Sequence, residues 1–317
     1  MPYSIFGPRN TVSKPFPSGR VDHRSAALTI PTPVSKGDSV AHLFLTDLAQ
    51  ELSAGPLNLP CFPDTVPRVR QVLSDPGCSA DDLVAVVATE PRLSARLIQT
   101  ANSAVFNLSG QKHSDLRHAV TRLGQDLVQS VAMAFAFQQM KTDESLREVA
   151  EPLNRLWERS LAVGSICTVL AKKMRVPSEK VFLTGLLHGI GLFYMTVRAA
   201  QPSHSKQLAR ILSPYAVSCH PIIGRAVMVK WGFETVMCEA IANQHDYTRK
   251  SRGEADITDV LVASVLLAEA LLERNGDLTK CAGVNAFASL KLTPADLTTI
   301  LKHTEHSLQS VRDSLGC

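Results

Sequence analysis

A single histidine in a long apolar run is the residue of this 317-residue sequence whose setting most suggests chemistry. His188 lies within the stretch 181–197 and is followed by Gly189-Ile190-Gly191. An imidazole can bind a metal or transfer a proton near neutral pH, because its ordinary pKa is about 6.5. A histidine in such a run can also be a hydrogen-bonded part of a helical core. Both interpretations stay open at this level.

Other catalytic patterns are weaker. Cys219-His220 combines a thiol with a base, but neighbouring residues on a helix do not face each other, so Cys219 is expected to be structural. The sequence contains no P-loop, no Gly-x-Ser-x-Gly motif and no Gly-x-Gly-x-x-Gly motif after a strand. It also lacks a Cys/His spacing typical of zinc sites. No cofactor is therefore expected.

Composition and charge limit the classes of partner. Hydrophobic residues make up 45% of the chain and aromatic residues 5%, which favours a helical protein with small-residue packing. Residues 1–40 contain five Lys or Arg and two Asp, whereas the rest of the chain is close to neutral. Nucleic acid is not expected as the main ligand, because phosphate neutralisation requires clustered Lys and Arg.

The sequence shows no recognisable signal peptide or membrane span. Residues 1–25 lack the apolar segment of a signal peptide, and no uninterrupted run of about 18 apolar residues predicts a membrane span. The seven cysteines are expected to be free thiols in a reducing compartment. The sequence therefore predicts a soluble cytoplasmic protein with no membrane span.

Hydrophobic periodicity predicts an all-α fold. Residues 1–38 contain too little apolar sequence to pack and are expected to be a disordered basic tail. Helix-type spacing then recurs to the end of the chain, with no alternating strand pattern. Ser79 with Asp82 resembles a capping box, Pro91 suits a first helical position, and Gly124 is expected to end a short helix. The predicted helices cover about 39–52, 64–73, 80–88, 91–106, 116–124, 126–140, 152–174, 181–197, 204–213, 216–230, 234–245, 256–274 and 294–314.

Several blocks together resemble the HDOD domain, the HD-related output domain of bacterial signalling proteins. In the first half they are Glu90-Pro91-Arg92-Leu93-Ser94-Ala95-Arg96-Leu97 and Ala101-Asn102-Ser103-Ala104-Val105-Phe106. In the second half they are Gly185-Leu186-Leu187-His188-Gly189-Ile190-Gly191 and Trp231-Gly232. The resemblance covers roughly residues 45–275. It implies an N-terminal helical subdomain, here 39–142, packed on a degenerate HD-type helical core, here 143–317.

The same resemblance identifies a remnant of a metal site. HD phosphohydrolases hold divalent metals with His and Asp side chains, but here Arg159 stands at the expected first histidine and Gly189 replaces the aspartate of the His-Asp pair. His220 and His245 stand where related proteins keep further histidines. Glu269 falls near the final aspartate.

Two interpretations of this remnant pocket follow. His188, His220 and His245 could form a weak metal site with Glu269, or they are hydrogen-bonded core histidines and no metal is held. Arg159 suits a phosphate or carboxylate ligand, or could pair with Glu269.

Two further residues are candidates for an interface. Small residues in the Ala-Asn-Ser-Ala block let a neighbouring helix come close, and Asn102 can hydrogen-bond across that contact. Asn102 is either a binding residue, together with Phe106, or a satisfied buried amide near a helix end. Gly189 and Gly191 are both expected to permit close helix packing.

The resemblance implies a non-catalytic regulatory protein of bacterial signal transduction, with other signalling proteins as partners. The chain is accordingly not expected to be an enzyme. The alternative is a metal-dependent phosphohydrolase of the HD type that acts on a nucleotide or cyclic dinucleotide. The sequence departs from the HD-GYP enzymes, because it reads His-Gly-Ile-Gly-Leu and lacks their Gly-Tyr-Pro motif.

Overall fold

The described part of the fold is helical, and no strand occurs in it. The computed structural model describes residues 36–54, 63–73, 75, 77–103, 107, 110–112, 114–174, 178–201, 208–251, 253–273 and 277–315. The all-α prediction is confirmed over this part of the chain. Residues 1–35 of the expected tail lie outside the described residues, as does the candidate interface residue Phe106. The first helix begins at Lys36, within the stretch expected to be tail.

Thirteen α-helices can be followed through the described residues. In chain order they are α1 (Lys36–Ala54), α2 (Thr65–Leu73), α3 (Ala80–Val87), α4 (Pro91–Ala101), α5 (Leu116–Lys141), α6 (Ala150–Met174), α7 (Ser178–Leu187), α8 (Ile190–Ala199), α9 (Leu208–Lys230), α10 (Thr235–Ala242), α11 (Ile257–Leu272), α12 (Asn285–Ser289) and α13 (Pro294–Leu315). Short 3₁₀ turns at Glu144–Val149 and Thr279–Cys281 join some of them.

Local chemistry explains several of these helix starts. The Ser79 hydroxyl accepts a hydrogen bond from the backbone N–H of Asp82, and the Asp82 carboxylate accepts one from the backbone N–H of Ser79, which confirms the predicted capping box. Pro91 is the first residue of α4, where its missing N–H costs nothing. Gly124 has a φ of +71°, a conformation that favours glycine, and it breaks α5 at the predicted position.

Three predicted helix boundaries were wrong. The run 181–197 forms two helices, α7 and α8, separated by a turn at His188-Gly189. The predicted helices 204–213 and 216–230 are one helix, α9, in its described part. The helix that begins at Pro91 ends at Ala101 instead of Phe106. Apolar periodicity continued across each boundary, so the pattern alone could not locate it.

The stretch that contains the turn at His188 has the length and composition of a membrane span. This stretch, Glu179–Ala199, is apolar enough to cross a membrane, but 89% of its 18-residue apolar part is buried inside the fold. The apolar character of this stretch is therefore that of a core segment covered by its neighbours.

One hydrophobic core connects the first half of the chain to the second. The cluster of buried apolar side chains runs from Phe44 on α1 to Leu315 on α13. Helix α1 packs against α9, and α5 packs against α7, so elements of both predicted subdomains share this core. The division at residue 142 stays a prediction.

Candidate functional site

The six helices from α6 to α11 bring the candidate residues of the remnant pocket together. Arg159 lies on α6, His188 in the α7–α8 turn, His220 on α9, His245 just after α10, and Glu269 on α11. We call the three histidines the imidazole cluster. Helices α6 and α11 pack side by side, as do α9 and α10, which places residues more than 100 positions apart at one site.

The histidines of the imidazole cluster are hydrogen-bonded to the protein and to each other. The Nδ1–H of His188 donates to the carbonyl oxygen of Gly185 at 2.8 Å, which leaves Nε2 unprotonated. The Nε2 atoms of His220 and His245 lie 3.1 Å apart, a distance at which one ring donates to the other. The side chain of Gln244 donates to the carbonyl oxygen of His188 at 3.0 Å and anchors the turn.

Burial keeps the imidazole cluster neutral. It lowers the pKa of His188 to about 3, with a further contribution from the charge of Arg159. Burial, and next the Arg159 charge, lower the pKa of His245 to about 4. The pKa of His220 is held well below its ordinary value by burial, then by His245 and His188. All three rings are therefore uncharged at neutral pH.

Arg159 and Glu269 form an ion pair beside these rings. A guanidinium nitrogen of Arg159 lies 2.9 Å from Oε1 of Glu269, and each side chain is about three-quarters buried or more. Lys280 approaches the other carboxylate oxygen at 3.1 Å. Burial raises the pKa of Glu269, but the two cations outweigh it and the net pKa is lowered. Of the two sequence-based possibilities for Arg159, the structure contains the pair with Glu269.

Gly189 faces a small space instead of a tight contact. A Cβ added there would meet only the hydroxyl oxygen of Ser160 at 3.8 Å, an ordinary contact distance. A void of about 10 Å³ adjoins it, lined by Trp157, Ser160, Phe193 and other core residues. The expectation that Gly189 permits close helix packing was wrong, because no neighbouring helix occupies the position of its missing side chain.

Gly191, in contrast to Gly189, is required for helix packing. A Cβ at this position would lie 2.0 Å from the carbonyl oxygen of His220 and 2.5 Å from the backbone nitrogen of Gly224. Helix α8 therefore contacts the backbone of α9 directly, and this contact also holds His220 in place. The expectation of close packing is confirmed at Gly191.

The donor set does not fit the divalent metal of HD phosphohydrolases. Arg159 places a permanent cation at the site and occupies the carboxylate of Glu269, and Gly189 supplies no ligand. Within the described ranges, no group of three or more His, Cys, Asp or Glu side chains is placed to hold a metal ion. We derive no catalytic step through a metal at this position.

The other candidates lie elsewhere or were not anticipated. Asn102 is half-buried, caps the C-terminal end of α4 and is not part of the imidazole cluster. Sequence reasoning missed Gln244 and Lys280, whose roles depend on the turn after α10 and the 3₁₀ turn after α11. It also missed Arg92 and Arg96, although their spacing of four residues on a helix was a readable signal.

The fold and this site define a class: a protein that is helical throughout its described residues, with a largely buried ion pair beside three neutral histidines. The family model of the HDOD domain matches residues 59–247, more than half of the chain. The chain belongs to the HDOD domain family.

Solved structures show the same fold. A protein from Shewanella amazonensis SB2B, provisionally named a metal-dependent phosphohydrolase, has a TM-score of 0.65 and 24% identity, over 87% of this chain and 99% of that one. An HDOD domain protein of unknown function from Geobacter sulfurreducens has a TM-score of 0.54 and 21% identity, over 85% and 96%. A provisionally named signal transduction protein from Marinobacter aquaeolei VT8 has a TM-score of 0.53 and 20% identity, over 91% and 67%. No curated protein matches this chain significantly.

Proposed function

We propose that this chain is a non-catalytic regulatory module of bacterial signal transduction that acts by binding other proteins through its helical surface. The observation that carries the proposal is the Arg159–Glu269 ion pair beside three neutral histidines, of which His220 and His245 are hydrogen-bonded to each other and His188 is bonded to the backbone. Membership of the HDOD family fits a regulatory role, as does the name of the Marinobacter neighbour.

Hydrolysis of the HD type needs a metal that lowers the pKa of a bound water and so creates a nucleophile. In this chain the carboxylate that could bind a metal is paired with a guanidinium. A divalent ion would have to displace Arg159, or share Glu269 with it and with Lys280, against their repulsion. These charges support the proposal that the site keeps the helical arrangement of an HD enzyme but does not bind the metal that hydrolysis needs.

Metal content and hydrolysis test the proposal directly. The full chain, purified without chelator, is expected to contain no stoichiometric iron, manganese or nickel, and to hydrolyse neither nucleotides nor cyclic dinucleotides. Hydrolysis that is abolished by both His188→Ala and Glu269→Ala, with circular dichroism unchanged, would contradict it.

A gain-of-ligand variant provides the matched positive control. Arg159→His with Gly189→Asp restores the ligand types of HD enzymes, and a Cβ at position 189 meets only the hydroxyl of Ser160, at an ordinary contact distance. This double variant is expected to bind more Mn²⁺ than the unaltered chain. Equal binding by the two proteins would mean that Arg159 and Gly189 are not what excludes the metal.

The alternative is the metal-dependent phosphohydrolase. Two observations favour it: three histidines lie in one region of the fold, and Nδ1 of His220 is buried with no hydrogen-bond partner among the described residues. The provisional name of the Shewanella neighbour points the same way. The metal analysis decides between the two functions, since stoichiometric metal held by His188, His220 and His245 would favour the phosphohydrolase.

Protein binding needs its own experiment. Affinity capture from the native host with the full chain is expected to retain specific partners, and Leu43→Asp should reduce their recovery. Leu43 on α1 is the most exposed large apolar side chain among the described residues, at 63%. The matched control is Val236→Asp on α10, a 45% exposed apolar position on another helix. Failure to capture any protein would count against this mode of action.

A further inference from the structure

A second polar site lies between α4 and the C-terminal part of α5, away from the imidazole cluster. It is a cleft of about 250 Å³, which we call the α4–α5 cleft. Its lining residues are Arg92, Arg96, Phe135, Gln138, Gln139 and Thr142. The volume is slightly below the roughly 300 Å³ at which sites for drug-sized ligands begin, so it suits a small molecule.

The cleft carries positive charge that is not paired with a carboxylate of the described residues. Arg92 and Arg96 are four residues apart and therefore share one face of α4. No described carboxylate lies within 4 Å of either guanidinium; Arg96 bonds only the neutral amide oxygen of Gln99, at 3.2 Å. The nearby carboxylate of Glu90 accepts instead from the backbone N–H of Arg92.

Arg92 also breaks a local rule. It lies in the first turn of α4, where the helix dipole favours anions and disfavours cations. Residues that break a local rule in this way occur at functional positions in many proteins. The guanidinium lies 5.9 Å from the centre of the Phe135 ring, at the outer limit of a cation–π contact, and no described residue accepts a hydrogen bond from it.

A buried donor in the same cleft lacks an acceptor. The side-chain nitrogen Nε2 of Gln138 is buried and has no hydrogen-bond partner within the described parts of the chain. Buried polar groups in native structures are nearly always paired, so an unpaired one indicates an absent partner. The two guanidiniums and this amide are all donors, and their shared requirement is a ligand rich in acceptor oxygens.

We propose that the α4–α5 cleft binds a small phosphorylated organic molecule of about mononucleotide size. Its phosphate lies between Arg92 and Arg96, since two guanidinium forks match the charge and the several oxygens of a phosphate better than those of one carboxylate. Gln138 donates to an oxygen of the ligand once its side chain turns into the cleft, and Phe135 supplies an apolar contact. This inference goes beyond the proposed function and does not depend on the state of the imidazole cluster.

Isothermal titration of the full chain at constant ionic strength tests the site, with AMP, adenosine and orthophosphate as probes. AMP is expected to bind with one-to-one stoichiometry, and the other two at least about tenfold more weakly. Arg92→Ala and Arg96→Ala are each expected to weaken AMP binding by about tenfold, the loss typical of one charge-assisted hydrogen bond. Arg96→Lys should retain part of the affinity, because it keeps the charge but not the fork.

The matched control is Arg117→Ala, which removes an exposed arginine of α5 that pairs with Asp81 outside the cleft. It should leave AMP binding unchanged, and far-UV circular dichroism of all variants should match the unaltered chain. The proposal is overturned if AMP does not bind with a Kd below about 1 mM, or if both cleft variants bind AMP as the unaltered chain does. Equal affinity for orthophosphate would refute the organic part of the ligand.

Discussion

The imidazole cluster and the α4–α5 cleft both hold polar side chains inside a helical fold, but their groups are satisfied in different ways. At the cluster, Arg159 is paired with Glu269, and the histidines are neutral and largely hydrogen-bonded within the protein. In the cleft, Arg92 and Arg96 have no carboxylate partner among the described residues, and a buried amide nitrogen lacks an acceptor. The histidines and the glutamate, residue types that usually indicate a catalytic site, are thus bonded mainly within the protein. The arginines of the cleft, a type common on protein surfaces, are available to a ligand.

The largest effect is expected from the packing that holds the imidazole cluster. Gly191→Ala would place a methyl group against the backbone of α9, which cannot move without separating two helices, and should lower the free energy of unfolding by about 3 kcal/mol or more. Gly189→Ala is the matched control and should change it by less than about 1 kcal/mol. Urea denaturation measures both. Equal losses would mean that the two glycines have equivalent roles.

The second-largest effect is expected from acid, through the buried histidines of the imidazole cluster. The folded-state pKa of His188 is about 3, below the unfolded value near 6.5, so the unfolded state binds more protons as the pH falls. Stability is fully present above about pH 6.5 and decreases below it, by about 2 kcal/mol for this ring at pH 5. His188→Asn should flatten the profile in chemical denaturation between pH 7 and 5. His303→Gln, on the exposed face of α13, should leave it unchanged.

Removal of the carboxylate at the cluster should have a moderate effect. Glu269→Gln leaves Arg159 without its partner in a largely buried position, and partial solvent access limits the loss to about 1–2 kcal/mol. Asp81→Asn breaks the exposed pair with Arg117 and should cost less than about 0.5 kcal/mol. Denaturant midpoints give both values. A loss at Glu269 no greater than that at Asp81 would show that the buried pair is not needed.

The smallest effect should come from filling the cleft. AMP at about ten times its Kd should raise the free energy of unfolding by about 1.4 kcal/mol, through binding to the folded state alone. Thermal unfolding of the full chain with AMP and with adenosine measures this shift. Arg92→Ala, with binding about tenfold weaker, should reduce it to about 0.4 kcal/mol at the same AMP concentration, whereas Glu269→Gln should preserve it, because the two regions are separate. Loss of the shift in Glu269→Gln alone would contradict that separation.

The helices were largely predictable from local chemistry. The capping box at Ser79, the start at Pro91 and the break at Gly124 each depend on a few neighbouring residues, and all three were predicted correctly. The turn at His188-Gly189 was not predicted, because apolar residues continue on both sides of it and the buried amide that anchors it comes from Gln244. Long-range contacts of this kind leave no local pattern.

The candidate site was predictable as a set of residues but not as an arrangement. The HD-like blocks located Arg159, His188, Gly189, His220, His245 and Glu269 in the sequence, and the structure brings these residues to one region of the fold. Which of them pair, and which rings remain neutral, depends on distances between helices. The cleft was missed because two arginines four residues apart usually indicate a helix face that is exposed to solvent.

Sequence by itself determined the helical fold, the family and the absence of an aspartate at position 189. Those features depend on periodicity, on caps and on residue identity, each of which acts over a few positions. The tertiary structure decided that Arg159 neutralises Glu269, that Gly191 but not Gly189 permits helix contact, and that Arg92 and Arg96 face an open cleft. Charge compensation and free volume depend on groups far apart in the chain, and only the packed fold brings those groups together.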